Sequence, residues 1–218
     1  CPTTRSASLP FASANWAKVS ILITVISLVL VTFANIIEIN LANYIENAPV
    51  WADYPTERIN TTDLIVGSIA LLYLIAFFAS VISFLLWLRN ASRNLPLIGI
   101  KAPEFTPGWV VGWWFIPFAN LFKPYQVMRN VLTGSSRSKP ENLKWFWGLH
   151  LAGNMIAWQG FRATDVLASN YISIVANLLL FAAGLLLIAY VTKVTSAQRA
   201  WHSSAISRIV DPQHAELS

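Results

Sequence analysis

Two groups of polar residues sit where chemistry is possible in this chain. The first is His150 with Asn154, four residues apart and so on one face of a helix. A neutral imidazole in an apolar helix can ligate a haem or a chlorophyll-type pigment, or relay a proton, which makes His150 the one candidate cofactor-binding residue. A single histidine between membrane helices more often hydrogen-bonds a neighbour, and no second histidine is available to complete a bis-histidine haem site, so the cofactor stays unassigned. The second group is Asn120, Lys123, Tyr125 and Arg129, beside Trp109, Trp113 and Trp114. Amphipathic indoles and cationic side chains at such spacing suit contact with an anionic lipid headgroup or with the acidic loop of a partner. The same residues also have conformational duties: Pro107 and Pro117 break helices, glycines permit close packing, and Asn120 can cap the helix that follows.

Enzymatic chemistry finds no foothold. The chain has no Gly-x-Ser-x-Gly elbow, no His-Glu-x-x-His and no paired carboxylates inside an apolar run. Its one cysteine, Cys1, allows no internal disulfide and no cysteine-based metal site. No metal ligand set is expected. A terminal cysteine can carry a lipid, but Arg5 and Lys18 favour a cytoplasmic N-terminus, so Cys1 is expected to be unmodified.

The elements that must position these residues follow from composition. With 56% hydrophobic residues, 11% charged residues and 10 tryptophans in 218 positions, the apolar surface exceeds what one small aqueous core can hide. The pattern predicts a single polytopic, all-α membrane domain over 1–218. Its four transmembrane helices are expected at about 17–39, 63–88, 143–161 and 170–192. The run 108–122 is strongly apolar but reaches only roughly 22 Å as a helix, short of a bilayer core of about 30 Å. From 124 to 133, Tyr125, Met128, Val131 and Leu132 recur at helical spacing behind Pro124, which predicts an amphipathic helix ended by Gly134.

Charge decides the topology. Acids dominate between the first two predicted spans, where Glu38, Glu46, Asp53, Glu57 and Asp63 face Arg58 alone. Basic residues dominate on both flanks of the short run, with Arg89, Arg93 and Lys101 before it and Lys123, Arg129, Arg137, Lys139 and Lys144 after it. If 108–122 does not cross, nearly all basic charge falls on one side, the cytoplasmic one. The segment is therefore read as re-entrant or interfacial, the 124–133 helix as lying on the cytoplasmic face, and both termini as cytoplasmic. The net charge of +5 is a topology signal and not a nucleic-acid surface, because the aromatics gather at span ends.

Packing signals are also present. Gly148 and Ala152, and Gly153 and Ala157, form small-x-x-x-small pairs, and about ten residues join the last two spans into a tight hairpin. Asn35, Asn154 and Asn177 either line a shared polar centre or bond helices to one another.

Between Phe105 and Arg129 the order Phe105, Pro107, Gly108, Trp109, Gly112, Trp113, Trp114, Phe115, Pro117, Asn120, Lys123, Pro124, Tyr125, Met128, Arg129 resembles the core signature of an uncharacterised bacterial membrane family, a domain of unknown function with four predicted spans. Trp87 to Leu95 is similar to the basic end of that family's second span, and Trp145 to Trp147 with Asn154 to its third. The resemblance runs over roughly Leu64 to Arg199 and implies architecture, with no activity attached. It and the residues together lead to a multi-pass protein of the bacterial inner membrane, non-enzymatic, in contact with membrane lipids and packing as a scaffold or accessory subunit against other integral membrane subunits. The alternative is a small transporter or channel with 108–122 as a half-helix along its path.

Overall fold

The computed structural model describes residues 12–49, 51, 53–100, 103–136 and 141–210, and every regular element among them is helical. In chain order these are α1 (Ala12–Glu46), α2 (Thr56–Asn94), a 3-10 turn (Pro96–Ile98), α3 (Trp109–Gly112), a second 3-10 turn (Ala119–Leu121), α4 (Lys123–Ser136), α5 (Glu141–Arg162) and α6 (Val166–Val210). Cys1, Arg5, Lys101, Arg137 and Lys139 lie outside the described residues.

Three helical stretches, Ala12–Glu46, Thr56–Ile98 and Val166–Ser204, are long and apolar enough to cross a membrane. Each extends past its expected window. Apolarity sets the depth of a span, but helix continuation needs only good formers and no proline, so Asn40 to Glu46 and Lys193 to Gln198 simply carry on. The expected polar loop over 40–62 shrinks accordingly to the stretch between Glu46 and Thr56, bridged by the Arg58 guanidinium over the Tyr44 ring at 4.4 Å. At 22 residues, or roughly 33 Å, α5 has the length of a span. It is more polar than the other three, because His150, Asn154 and Gln159 interrupt it.

The segment 108–122 departs from one expectation: no half-helix forms there. Its α-helical part, α3, has four residues. Pro117 cannot donate the next helical bond, and Phe118 takes φ +62°, an uncommon conformation for a bulky residue, so the chain turns before the 3-10 turn at Ala119–Leu121. Gly134 likewise does not end α4, which runs through it to Ser136. A Cβ there would meet Leu95 Cδ2 at 2.9 Å, so the glycine serves close packing inside the helix instead of stopping it.

The chain forms two compact units. One comprises Cys1–Lys18, Ser83–Leu143 and Ala189–Ser218 and holds the signature segment. Its core is large and aliphatic: Leu88, Leu95, Val127, Met128, Val191 and Val194 are all fully buried. The apolar side of α4, Val127, Met128, Val131 and Leu132, is part of that core, so the helix lays its apolar stripe on protein. The other unit, Val19–Ile82 with Lys144–Ile188, packs through small residues. A Cβ on Gly153 of α5 would meet Leu180 of α6 at 2.8 Å, one on Gly160 would meet Ser173 Oγ at 3.0 Å, and Gly184 lies directly against Val25 of α1. Where backbones approach this closely only glycine fits, and such contacts stabilise helix pairs in lipid through dispersion. Of the expected small pairs, Gly153 is used between α5 and α6, whereas Gly148 faces open space.

Candidate functional site

The signature segment builds an aromatic and cationic cluster from very local rules. One turn of α3 puts Trp109 and Trp113 four residues apart, with ring centroids 4.8 Å from one another. Gly112 lies under that stack, where a Cβ would come within 3.3 Å of the Trp109 ring. The next residue, Trp114, points to the unit's interior and meets Phe84 of α2 edge-on at 5.6 Å. From there an aromatic chain continues: Phe84 to Trp87 at 5.8 Å, then Trp87 to Tyr190 of α6 at 5.7 Å in a T-shape. The Tyr190 hydroxyl closes it by donating to the Met128 carbonyl of α4 at 2.9 Å.

Lys123 occupies the first position of α4. Its ammonium stands 5.4 Å from the Trp113 ring and 5.7 Å from the Phe105 ring, and donates to Gln126 Oε1 at 3.1 Å. A cation at a helix N-terminus works against the macrodipole, which favours anions there, so the ring faces and the glutamine carbonyl hold the lysine in an electrostatically poor place. Neither Lys123 nor Arg129 has an acidic partner among the described residues. The indole Nε1 of Trp113 is buried and has no hydrogen-bond acceptor. A buried unmet donor costs about 1–3 kcal/mol.

The residues singled out by sequence thus divide. Trp109, Trp113 and Lys123 come together, Trp114 belongs to the interior, and Tyr125 is half-buried on α4. Arg129 is exposed on the outward face of α4. Asn120 is exposed within the 3-10 turn Ala119–Leu121, ahead of the helix, and its side chain makes no hydrogen bond among the described residues, so it does not act as the α4 cap.

His150 lies in the other unit. Its ring stacks on Phe146 at 5.8 Å and lies 5.6 Å from Trp147, while the Asn154 amide donates to the His150 carbonyl at 2.7 Å and approaches its Nδ1 at 3.4 Å. The imidazole is thus engaged with neighbours on its own helix. Asn154 is exposed and takes no part in a shared polar centre; that centre is the α1–α6 seam, where Asn177 donates to Thr32 Oγ1 at 3.4 Å and the buried Asn35 amide nitrogen has no acceptor.

A buried polar hub beside the signature cluster has no counterpart in the sequence reading. Gln198 of α6 donates to the Ala91 carbonyl and to Ser135 Oγ, both at 2.9 Å, and accepts from Asn94 at 2.9 Å. Trp201 adds a bond to the Ser135 carbonyl at 3.1 Å, and Trp87 one to Thr195 Oγ1 at 3.2 Å. Thr195, Gln198 and Trp201 recur every three residues, a face that could have been recognised beyond the apolar window. These bonds tie α2, α4 and α6 together behind the cluster.

A family model described as "Domain of unknown function (DUF4328)" matches residues 52–196, which include the signature cluster and most of α6. No curated protein and no solved structure matches the chain.

Proposed function

Because the chain belongs to the DUF4328 family, we propose a function that rests on architecture: a multi-pass protein of the bacterial inner membrane, with α5 as its fourth span and both termini cytoplasmic. It performs no catalysis. It is a scaffold or accessory subunit that packs against other integral membrane subunits. The observation that supports this most is the outward face of α5. Asn154 is exposed about 4 Å from the midpoint of that helix, Gln159 is exposed further on, and a Cβ on Gly148 would meet nothing within 4 Å. Met155 and Trp158 flank them, 70% and 58% exposed.

In hydrocarbon an amide turned to lipid is costly, whereas an amide beside a partner helix gains a hydrogen bond, and an open glycine admits that helix closely. A fourth span with such a face suits a position beside another protein. Native gel electrophoresis of mildly solubilised membranes tests the proposal. The protein should co-migrate with stoichiometric partners, and Gly148→Leu, which fills the open notch without meeting the chain itself, should release them. A wild-type protein that runs alone, as a monomer or as a homo-oligomer, refutes it.

A further inference from the structure

We infer that the signature segment is a membrane-inserted loop that dips into one leaflet and returns, with the Phe118 ring as its tip among the acyl chains. None of the observations behind this involves the outward face of α5. Depth comes first. Trp114 meets Phe84 of α2 edge-on, and Phe84 lies five residues before Arg89, the basic residue that ends the apolar run of that spanning helix. The contact therefore sits about 7.5 Å inside the level of Arg89 along the helix. Uncovered surface at that level faces acyl chains, as the 53% exposed Leu86 of α2 does. Beside it Phe115, Phe118 and Leu121 are 70%, 83% and 55% exposed, and no charged residue occurs between Glu104 and Lys123.

The two ends of the loop meet. The Lys123 ammonium stands 5.4 Å from the centre of the Trp113 ring, so the chain leaves and re-enters at one level, and an indole with a lysine is the pairing expected at the headgroups. Phe118 is five residues from either end, and turn-like backbone at about 2 Å per residue carries it roughly 10 Å inward, less than half of a core of about 30 Å. Irregular backbone survives in hydrocarbon only if its polar groups bond internally. Seven N–H groups between Trp113 and Phe122 donate to carbonyls of the same segment. One of these bonds, Ala119 N–H to the Pro117 carbonyl at 2.7 Å, closes a γ-turn of the rare positive-φ kind over Phe118. Glycine would take that φ without strain, so retaining a phenylalanine there points to a use for the ring, and the turn thrusts it outward.

Spin labelling of the purified full chain in vesicles of phosphatidylethanolamine and phosphatidylglycerol tests this. The background is Cys1→Ser, with oxygen as the apolar relaxant and a nickel chelate as the aqueous one. A label on Phe118→Cys should meet oxygen severalfold more than the chelate. Its depth should fall between that of a label on Ile75→Cys, exposed near the middle of the α2 apolar run, and that of one on the exposed Thr133→Cys, which should favour the chelate. Phe115→Cys, on backbone of ordinary φ, gives the reading should the strained position reject a label. Chelate access above oxygen access at the loop label places the loop in water and overturns the inference. Low access to both relaxants shows that protein covers the tip, a partner or a second copy, and overturns it as well. A depth equal to that of Ile75→Cys overturns the confinement to one leaflet.

Discussion

Replacing Gln198 by leucine removes three hydrogen bonds at once while nearly preserving side-chain volume. Gln198 is 2% exposed, and its partners Asn94 and Ser135 are buried as well, so no water can take its place at the Asn94 amide or the Ser135 hydroxyl. A buried hydrogen bond contributes about 0.5–1.5 kcal/mol, and bonds between membrane helices average about 0.6 kcal/mol. Three of them, with two polar groups left unmet, put the loss at about 2–4 kcal/mol. Leucine recovers little of this, since a methyl group meets a carbonyl and two polar side chains. The measurement is equilibrium unfolding of the detergent-solubilised chain in SDS, followed by circular dichroism, with Asn94→Leu and the double variant completing a cycle. The single substitution should shift stability by that amount, and the cycle should give a coupling of about 1 kcal/mol between the pair. A loss below about 0.5 kcal/mol, or a coupling near zero, would refute the view that this hub binds α2, α4 and α6 together.

Gly153→Leu forces a side chain into a site where a Cβ alone would lie 2.8 Å from Leu180, so the same unfolding assay should show a loss of about 1–3 kcal/mol, while Gly148→Leu should show none. Topology is tested in a Cys1→Ser background: cysteines placed at Arg93 and Thr133, both exposed, should react with impermeant reagents from one side of the membrane, and one at the exposed Trp51 from the other. Reaction of Arg93→Cys and Thr133→Cys from opposite sides would mean that 108–122 crosses the bilayer.

How much of this was legible in the sequence depends on which force places a residue. Long apolar runs gave the existence of α1, α2 and α6, because burial in lipid is a property of composition. Their ends were not legible, since Lys193 or Asn40 can prolong a helix without being apolar. The i, i+4 rule brought Trp109 to Trp113, but nothing local says that Trp114 turns toward Phe84, a contact between residues thirty positions apart that only tertiary packing creates. Glycines were ambiguous for the same reason. Gly134 reads as a helix stop and Gly148 as a contact, yet it is Gly134 that packs on Leu95 and Gly148 that faces open space. The Gln198 hub went unseen because each of its members looks like an ordinary polar residue at the end of a helix.

The burial of the apolar side of α4 in its own unit carries a consequence for how the protein can respond to its surroundings. Amphipathic helices that sense membrane curvature or lipid packing defects do so by leaving and re-entering the bilayer surface, and they need an apolar face that is free to partition. Here that face is already spent on Leu95, Tyr190 and their neighbours. Helix α4 is thus a fixed bracket and cannot act as a curvature gauge.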